Sequence, residues 1–238
     1  MRKIFIILFA AASMGLSSCE VLNQLPTATG GTLGGLSESE AGQGIKAALD
    51  QGIAKSVLQL NTVDGFFKDA LYKVLLPPDA QKLVNTFRTL GLGSLVDKAI
   101  LQINRGAEDA AGYAKPIFVD AIKSMTLQDA IGLVKNGDTS ATHFFRVKTT
   151  DKLYTAFQPV IQSSLQKVDA TKYYGDLVTK YNNFPTTVKK INPDLAGYVT
   201  ERATYALFDL IGKEEVNIRT NLVARTSDIL KKVFGTKW

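Results

Sequence analysis

Between Gly93 and Phe157 apolar residues return every third or fourth position, and this period limits the fold more than any motif does. Leu95, Val96, Ala99, Ile100, Ile103, Ala107, Ala110 and Ala111 share one face of a helix starting at Ser94. Asp97, Lys98, Gln102, Arg105, Glu108 and Asp109 line the other. Pro116 lacks the amide that would bond Gly112, so the helix is expected to kink or break near Gly112-Tyr113. Ile117, Phe118, Ala121, Ile122 and Met125 then carry the stripe onward.

The same period recurs on both sides. Ser37-Glu38-Ser39-Glu40 reads as a capping box, with Ile45, Ala48, Leu49, Ile53, Val57 and Leu60 on one face behind it. Asp64-Gly65 breaks the run, and Phe66-Phe67 supplies an apolar plug. Ala70 to Leu76 alternates weakly and is either a short extended segment or an irregular link. Pro78 suits the start of a helix over Asp79–Leu90, with Leu83, Val84, Phe87 and Leu90 inward. Thr126-Leu127-Gln128-Asp129 is a capped start and Asn136-Gly137 a stop. Asp138-Thr139 opens an element through His143 to Val147, and Thr149-Thr150-Asp151 is expected to cap another that crosses Pro159. Further helices are expected over Thr171–Phe184, after Asn192-Pro193-Asp194, and from Thr226 to Phe234. No run alternates convincingly enough for a sheet. The expectation is an all-α chain, one compact multi-helix domain at 37–238 with about eight to ten helices, proline-kinked near Pro116 and Pro159. A faint echo between the Pro116 and Pro159 regions is compatible with duplication and with chance periodicity alike.

The first residues read as an address. Arg2 and Lys3 precede a short apolar stretch, Ile4 to Ala12, too short to span ~30 Å of hydrocarbon, which takes roughly 20 apolar residues. Leu16-Ser17-Ser18-Cys19 follows, with the spacing of a lipobox: an apolar residue, two small ones, then a thiol to receive diacylglycerol. Residues 1–18 are therefore expected to be a lipoprotein signal peptide and Cys19 the lipid attachment site. Residues 19–36, rich in Gly and Thr, read as a flexible tether spanning ~23 Å. Two or three acyl chains on Cys19 would anchor the protein stably to a membrane. Loss of Arg2 and Lys3 lowers the formal charge from +6 to +4, too weak a field to suggest a nucleic-acid partner.

Chemistry is constrained by scarcity. Cys19 is the single cysteine, so an anchored thiol leaves none for a disulfide, a metal cluster or a nucleophile. His143 is the single histidine. A Ser-His-Asp mechanism would have to use it with Asp138 or Asp151 and a serine such as Ser140, yet no Gly-x-Ser-x-Gly elbow surrounds any serine. Asp129, Asp138 and Asp151 sit where helix caps are expected, and no Gly-rich phosphate loop follows a strand. No metal and no cofactor is indicated. The remaining candidate is a polar cluster of Arg105, Glu108, Asp109, Asp120 and Arg146 around the Pro116 break, with Arg105 and Asp109 one turn apart. Its simpler reading is a solvated face, as for Glu214-Glu215 and Lys231-Lys232. The aromatic residues suffice for a helical core or to line an apolar cavity.

Four stretches resemble a known family: Ala41 to Leu49, Asn104 to Ala110, Lys115 to Ile122, and Phe144-Phe145-Arg146 with Thr149. Together they look like the bacterial domain of unknown function 4197, in the same order from Leu36 to Phe234. Ala114 to Met125 and Thr226 to Gly235 are the most specific pieces. The resemblance implies a helical, exported, often lipid-anchored envelope protein of Gram-negative bacteria, and it implies no activity. The chain is thus expected to sit in the cell envelope and act by binding an envelope protein, a lipid or another component. An envelope enzyme using carboxylates near Arg105, Glu108 and Asp120 is the rival, and carriage of an apolar ligand between kinked helices is the third reading. The sequence does not fix the oligomeric state.

Overall fold

The structure, a computed structural model, describes residues 37–183, 185 and 187–235. The expected signal peptide, tether and lipid attachment at Cys19 lie outside the described residues. The described residues all fall within one compact unit. Nine α-helices and no strand are found among the described residues, as the period predicts.

Ser37 caps α1 (Glu38–Leu60) in the expected reciprocal box with Glu40. Irregular chain then runs to a 3-10 turn, Pro78–Ala80, so the ambiguous Ala70–Leu76 stretch is a link and not a strand. Gly65 is obligatory there, because a Cβ would press against the carbonyl oxygens of Gln59, Leu60 and Thr62. Next come α2 (Gln81–Thr89) and α3 (Gly93–Ala111). At Pro116 the outcome is a break. The chain turns at Gly112-Tyr113 and α4 (Ala114–Ser124) begins afresh, with Pro116 in its first turn, where amides have no helical acceptor anyway. The second capping box, Thr126 with Asp129, opens α5 (Leu127–Lys135).

The long helix α6 (Ser140–Gln166) corrects one expectation. Thr149-Thr150-Asp151 starts no new helix but lies inside α6, where the Thr149 and Thr150 hydroxyls donate back to the carbonyls of Phe145 and Arg146, at 2.7 and 2.6 Å. Pro159 also lies within this one uninterrupted helix. The two prolines of the sequence echo thus occupy unlike places. The chain ends in α7 (Ala170–Asn182), α8 (Leu195–Thr220), capped by Asp194, and α9 (Asp228–Gly235).

Helix α6 is the axis: α3 and α8 pack along it, and α4 and α7 close its remaining sides. Helix α1 lies on α8 and α4 and is covered by α5 and α9. The crossing of α3 with α6 is close because Gly106 faces it, leaving room for a Cβ only 3.0 Å from that of Ser164 and 3.3 Å from the Ile161 Cα. At the centre Phe118 meets Phe145 and Phe208 edge to face, with ring centroids 5.5 and 5.9 Å apart. Among the described residues no buried side-chain polar atom lacks a hydrogen-bond partner, and no helix is long and apolar enough to cross a membrane.

Candidate functional site

Only part of the predicted polar cluster assembles. Arg105, on α3, reaches Glu108 at 2.6 Å and Asp64 at 2.8 Å, and Lys68 holds the other Asp64 oxygen at 2.7 Å. Glu108 corrects the sequence reading, for it is buried and not solvated. One carboxylate oxygen accepts the backbone amides of Phe66 and Phe67, both at 3.1 Å, while the other takes Arg105. The side-chain amide of Asn61 donates to the Glu108 carbonyl, and Asn104 bonds both backbone groups of Val74 at 2.8 Å. These polar groups clamp the irregular 61–77 link to α3. Hydrogen bonds from Lys68 and Arg105 hold the Asp64 carboxyl below its ordinary range, and Glu108 and Asp64 hold the Arg105 guanidinium charged.

Asp109 and Asp120 are exposed and join none of this, so the expected Arg105–Asp109 pair is replaced by Arg105–Glu108. Arg146 lies on α6, its guanidinium 4.8 Å from the centre of the Phe208 ring. It borders an open hollow with Thr142, Asp209 and Lys213. There Tyr72 donates to Asp209 at 2.7 Å and Lys213 donates to the Tyr72 oxygen at 2.9 Å, pinning the same link to α8. Burial raises the Asp209 carboxyl, but hydrogen bonds from Lys213 and Tyr72 outweigh it and leave the group below its usual value.

Glu214 and Glu215, expected in solvent, are likewise buried. Glu215 accepts the amides of Ala141 and Thr142 at the start of α6, at 3.1 and 2.8 Å, with the Thr142 hydroxyl and Arg219 completing its shell. A carboxylate at a helix N-terminus meets free amides and the positive end of the helix dipole. Glu214 pairs with Lys55 and accepts from Asn217. His143 is exposed on α6. Among the described residues no group of three or more His, Cys, Asp or Glu is placed to hold a metal.

A separate feature is an apolar groove beside α2. Helix α2 packs chiefly on α3, so the apolar face predicted to be inward is only partly covered. Leu83 and Phe87 are half buried, while Leu90 (68 % exposed) and Leu95 (48 %) are not core residues as their spacing suggests. Between this face and α7 lies a groove of about 250 Å³. Leu76, Ala80, Leu83, Val84 and Phe87 form one wall. Leu92, Leu95, Val96 and Ala99 come from the start of α3, and Val168, Ala170, Leu177 and Leu195 face them. Ligand sites are commonly apolar clefts of roughly 300–1,000 Å³, and an apolar cavity of ~150 Å³ already admits benzene.

The polar atoms in this groove are few. Tyr174 is buried, its hydroxyl donates to the Asn192 carbonyl at 3.1 Å, and burial pushes it up to about 12. Lys98 and Tyr173, both exposed, also line the groove. The sequence places Lys98 on the polar face of α3 and counts the two tyrosines among the aromatic residues able to line a core or cavity, without bringing the three together. The signal available was an apolar face on α2 with too short a helix behind it to be fully covered.

Residues 35–235 match the model of a family described as "Protein of unknown function (DUF4197)". No curated protein and no solved structure matches the chain.

Proposed function

The chain belongs to the DUF4197 family, and from that premise we propose a lipid-anchored cell-envelope protein that binds an apolar ligand in the α2–α3–α7 groove. The groove is the observation that carries this reading. Burying a leucine- or phenylalanine-sized surface is worth ~1.5–3 kcal/mol, and α2 and α3 leave several such surfaces partly open. Anchoring is supported by Leu16-Ser17-Ser18-Cys19 and by the glycine-rich stretch behind it. It would hold such a groove near a lipid surface, where apolar ligands are concentrated.

Carboxylate catalysis lacks comparable support. Both Glu108 oxygens are committed to the Phe66 and Phe67 amides and to Arg105, and Asp109 and Asp120 stand apart in solvent. Native mass spectrometry of the protein purified from its own host tests the ligand reading. A retained apolar small molecule, lost on filling the groove with Ala99→Phe, is expected. Retention that Ala99→Phe leaves unchanged, in a variant with an unaltered melting curve, overturns it. For the anchor, Cys19→Ala is expected to abolish metabolic labelling by a fatty-acid analogue, and persistent labelling refutes that part.

A further inference from the structure

Resting on the groove as a ligand site, we infer that its ligand is an amphiphile of fatty-acid type. The hydrocarbon chain lies among the α2, α3 and α7 side chains, and the carboxylate sits at the mouth against Lys98 and Tyr173. The interior dictates the first half. Its walls are hydrocarbon, and the Tyr174 hydroxyl is already donating to Asn192. A ligand's polar group placed inside would leave water without a full set of partners, at a desolvation cost that an aliphatic chain avoids. The polar end therefore stays at the mouth.

Charge complementarity supplies the second half. Among the described residues Lys98, the one charged residue in the groove's lining, makes no ion pair, and the Tyr173 hydroxyl makes no hydrogen bond. The nearby carboxylates of Asp97 and Asp79 lie outside the lining and are held by Arg88 at 2.6 Å and Lys189 at 2.7 Å. The groove's lining thus includes one unpaired cation and one unbonded hydroxyl and no acidic residue. A single negative charge with two acceptor oxygens fits that pair of donors. The butylated stem of Lys98 also covers apolar surface while its ammonium stays in water, which suits the boundary between chain and head group.

The test compares decanoate with decanol, which share a chain and differ in charge. The protein used is residues 32–238, whose described helices share a large buried core, with folding checked by a cooperative thermal melt. Calorimetric titration at pH 7 should show decanoate binding more tightly than decanol. Lys98→Glu, on the exposed face, should weaken decanoate about two- to fivefold and leave decanol unchanged, the range set by exposed charge pairs. The difference should shrink in 1 M salt. Each methylene added from octanoate upward should tighten binding about fourfold until the groove is filled. Equal binding of both ligands, untouched by Lys98→Glu, overturns the head-group assignment while leaving the groove reading intact. Binding of neither overturns both.

Discussion

Glu108→Ala is the substitution that best separates a structural carboxylate from a catalytic one. Its side chain is 4 % exposed and carries three contacts, to the amides of Phe66 and Phe67 and to Arg105. Each buried donor left without a partner costs ~1–3 kcal/mol, and alanine provides no acceptor. Phe66 is fully buried, so its amide bears that cost in full, while the half-buried Phe67 amide bears less. Arg105 is 30 % exposed and keeps Asp64, which discounts the charge term. The sum is about 3–5 kcal/mol. In a domain of this size one kcal/mol moves the melting point by ~2–4 °C, so a fall of about 10 °C is expected by circular dichroism. Asp109→Ala, exposed one residue along, should stay within about 0.5 kcal/mol of the native chain. If Glu108→Ala melts within 2 °C of the native protein, the clamp is not what the carboxylate does, and chemistry at this cluster returns to consideration.

Glu215→Ala strips the acceptor from the Ala141 and Thr142 amides and from Arg219, and should cost about 3–5 kcal/mol in a urea unfolding curve. The exposed Glu201→Ala on the same helix should be near neutral, and equal losses for the two would refute the capping role. Gly106→Val should destabilise by at least about 2 kcal/mol, because its Cβ enters the space of Ser164 and the α6 backbone; a neutral melt would show that the crossing is loose. Hydrogen bonds from Lys232 and Ser37 lower the Glu40 carboxyl from 4.5 to about 2. A depressed folded value gives stability present above pH 4.5 and lost as pH falls towards 2. The native melting point should therefore drop more steeply across that window than that of Glu40→Gln, and parallel curves would refute the pairing.

Much of the fold was legible because its information is local. The capping residues Ser37, Thr126 and Asp194 announce helix starts within three positions of their partners, and each is found capping. The 3.6-residue period likewise identifies which face of a helix is apolar. Neither shows what lies opposite. Glu108 was assigned to solvent because a carboxylate at a helical position usually belongs there, yet its partners are amides some forty residues earlier. Glu215 caps a helix that begins more than seventy residues before it. The error at Leu90 and Leu95 has the same origin with opposite sign: an apolar face was legible, but its covering depended on how far α2 reaches across α7. The Thr149-Thr150-Asp151 expectation fails for another reason, since a threonine hydroxyl that could accept an amide at a cap can equally donate to the carbonyl four residues back inside a helix.

These misplacements point one way. The buried carboxylates of Glu108 and Glu215 are committed to backbone amides and arginines, and that of Glu214 to Lys55 and Asn217, so their geometry serves the fold. A reactive acid or base needs a free oxygen facing a space that substrate can enter, and Glu108 and Glu215, with both oxygens engaged, have none to spare. The apolar side chains show the reverse. The core closes around Phe118, Phe145, Phe157 and Phe208, yet apolar surface continues past it along α2 and the first turn of α3, where it is only partly covered. An open apolar face gives up stabilisation that a few more residues of α2, or bulkier side chains at Ala80 and Ala99, would recover. A groove with small residues in its walls, its inner hydroxyl already bonded and an unpaired lysine in its lining is the geometry on which the proposed ligand reading rests.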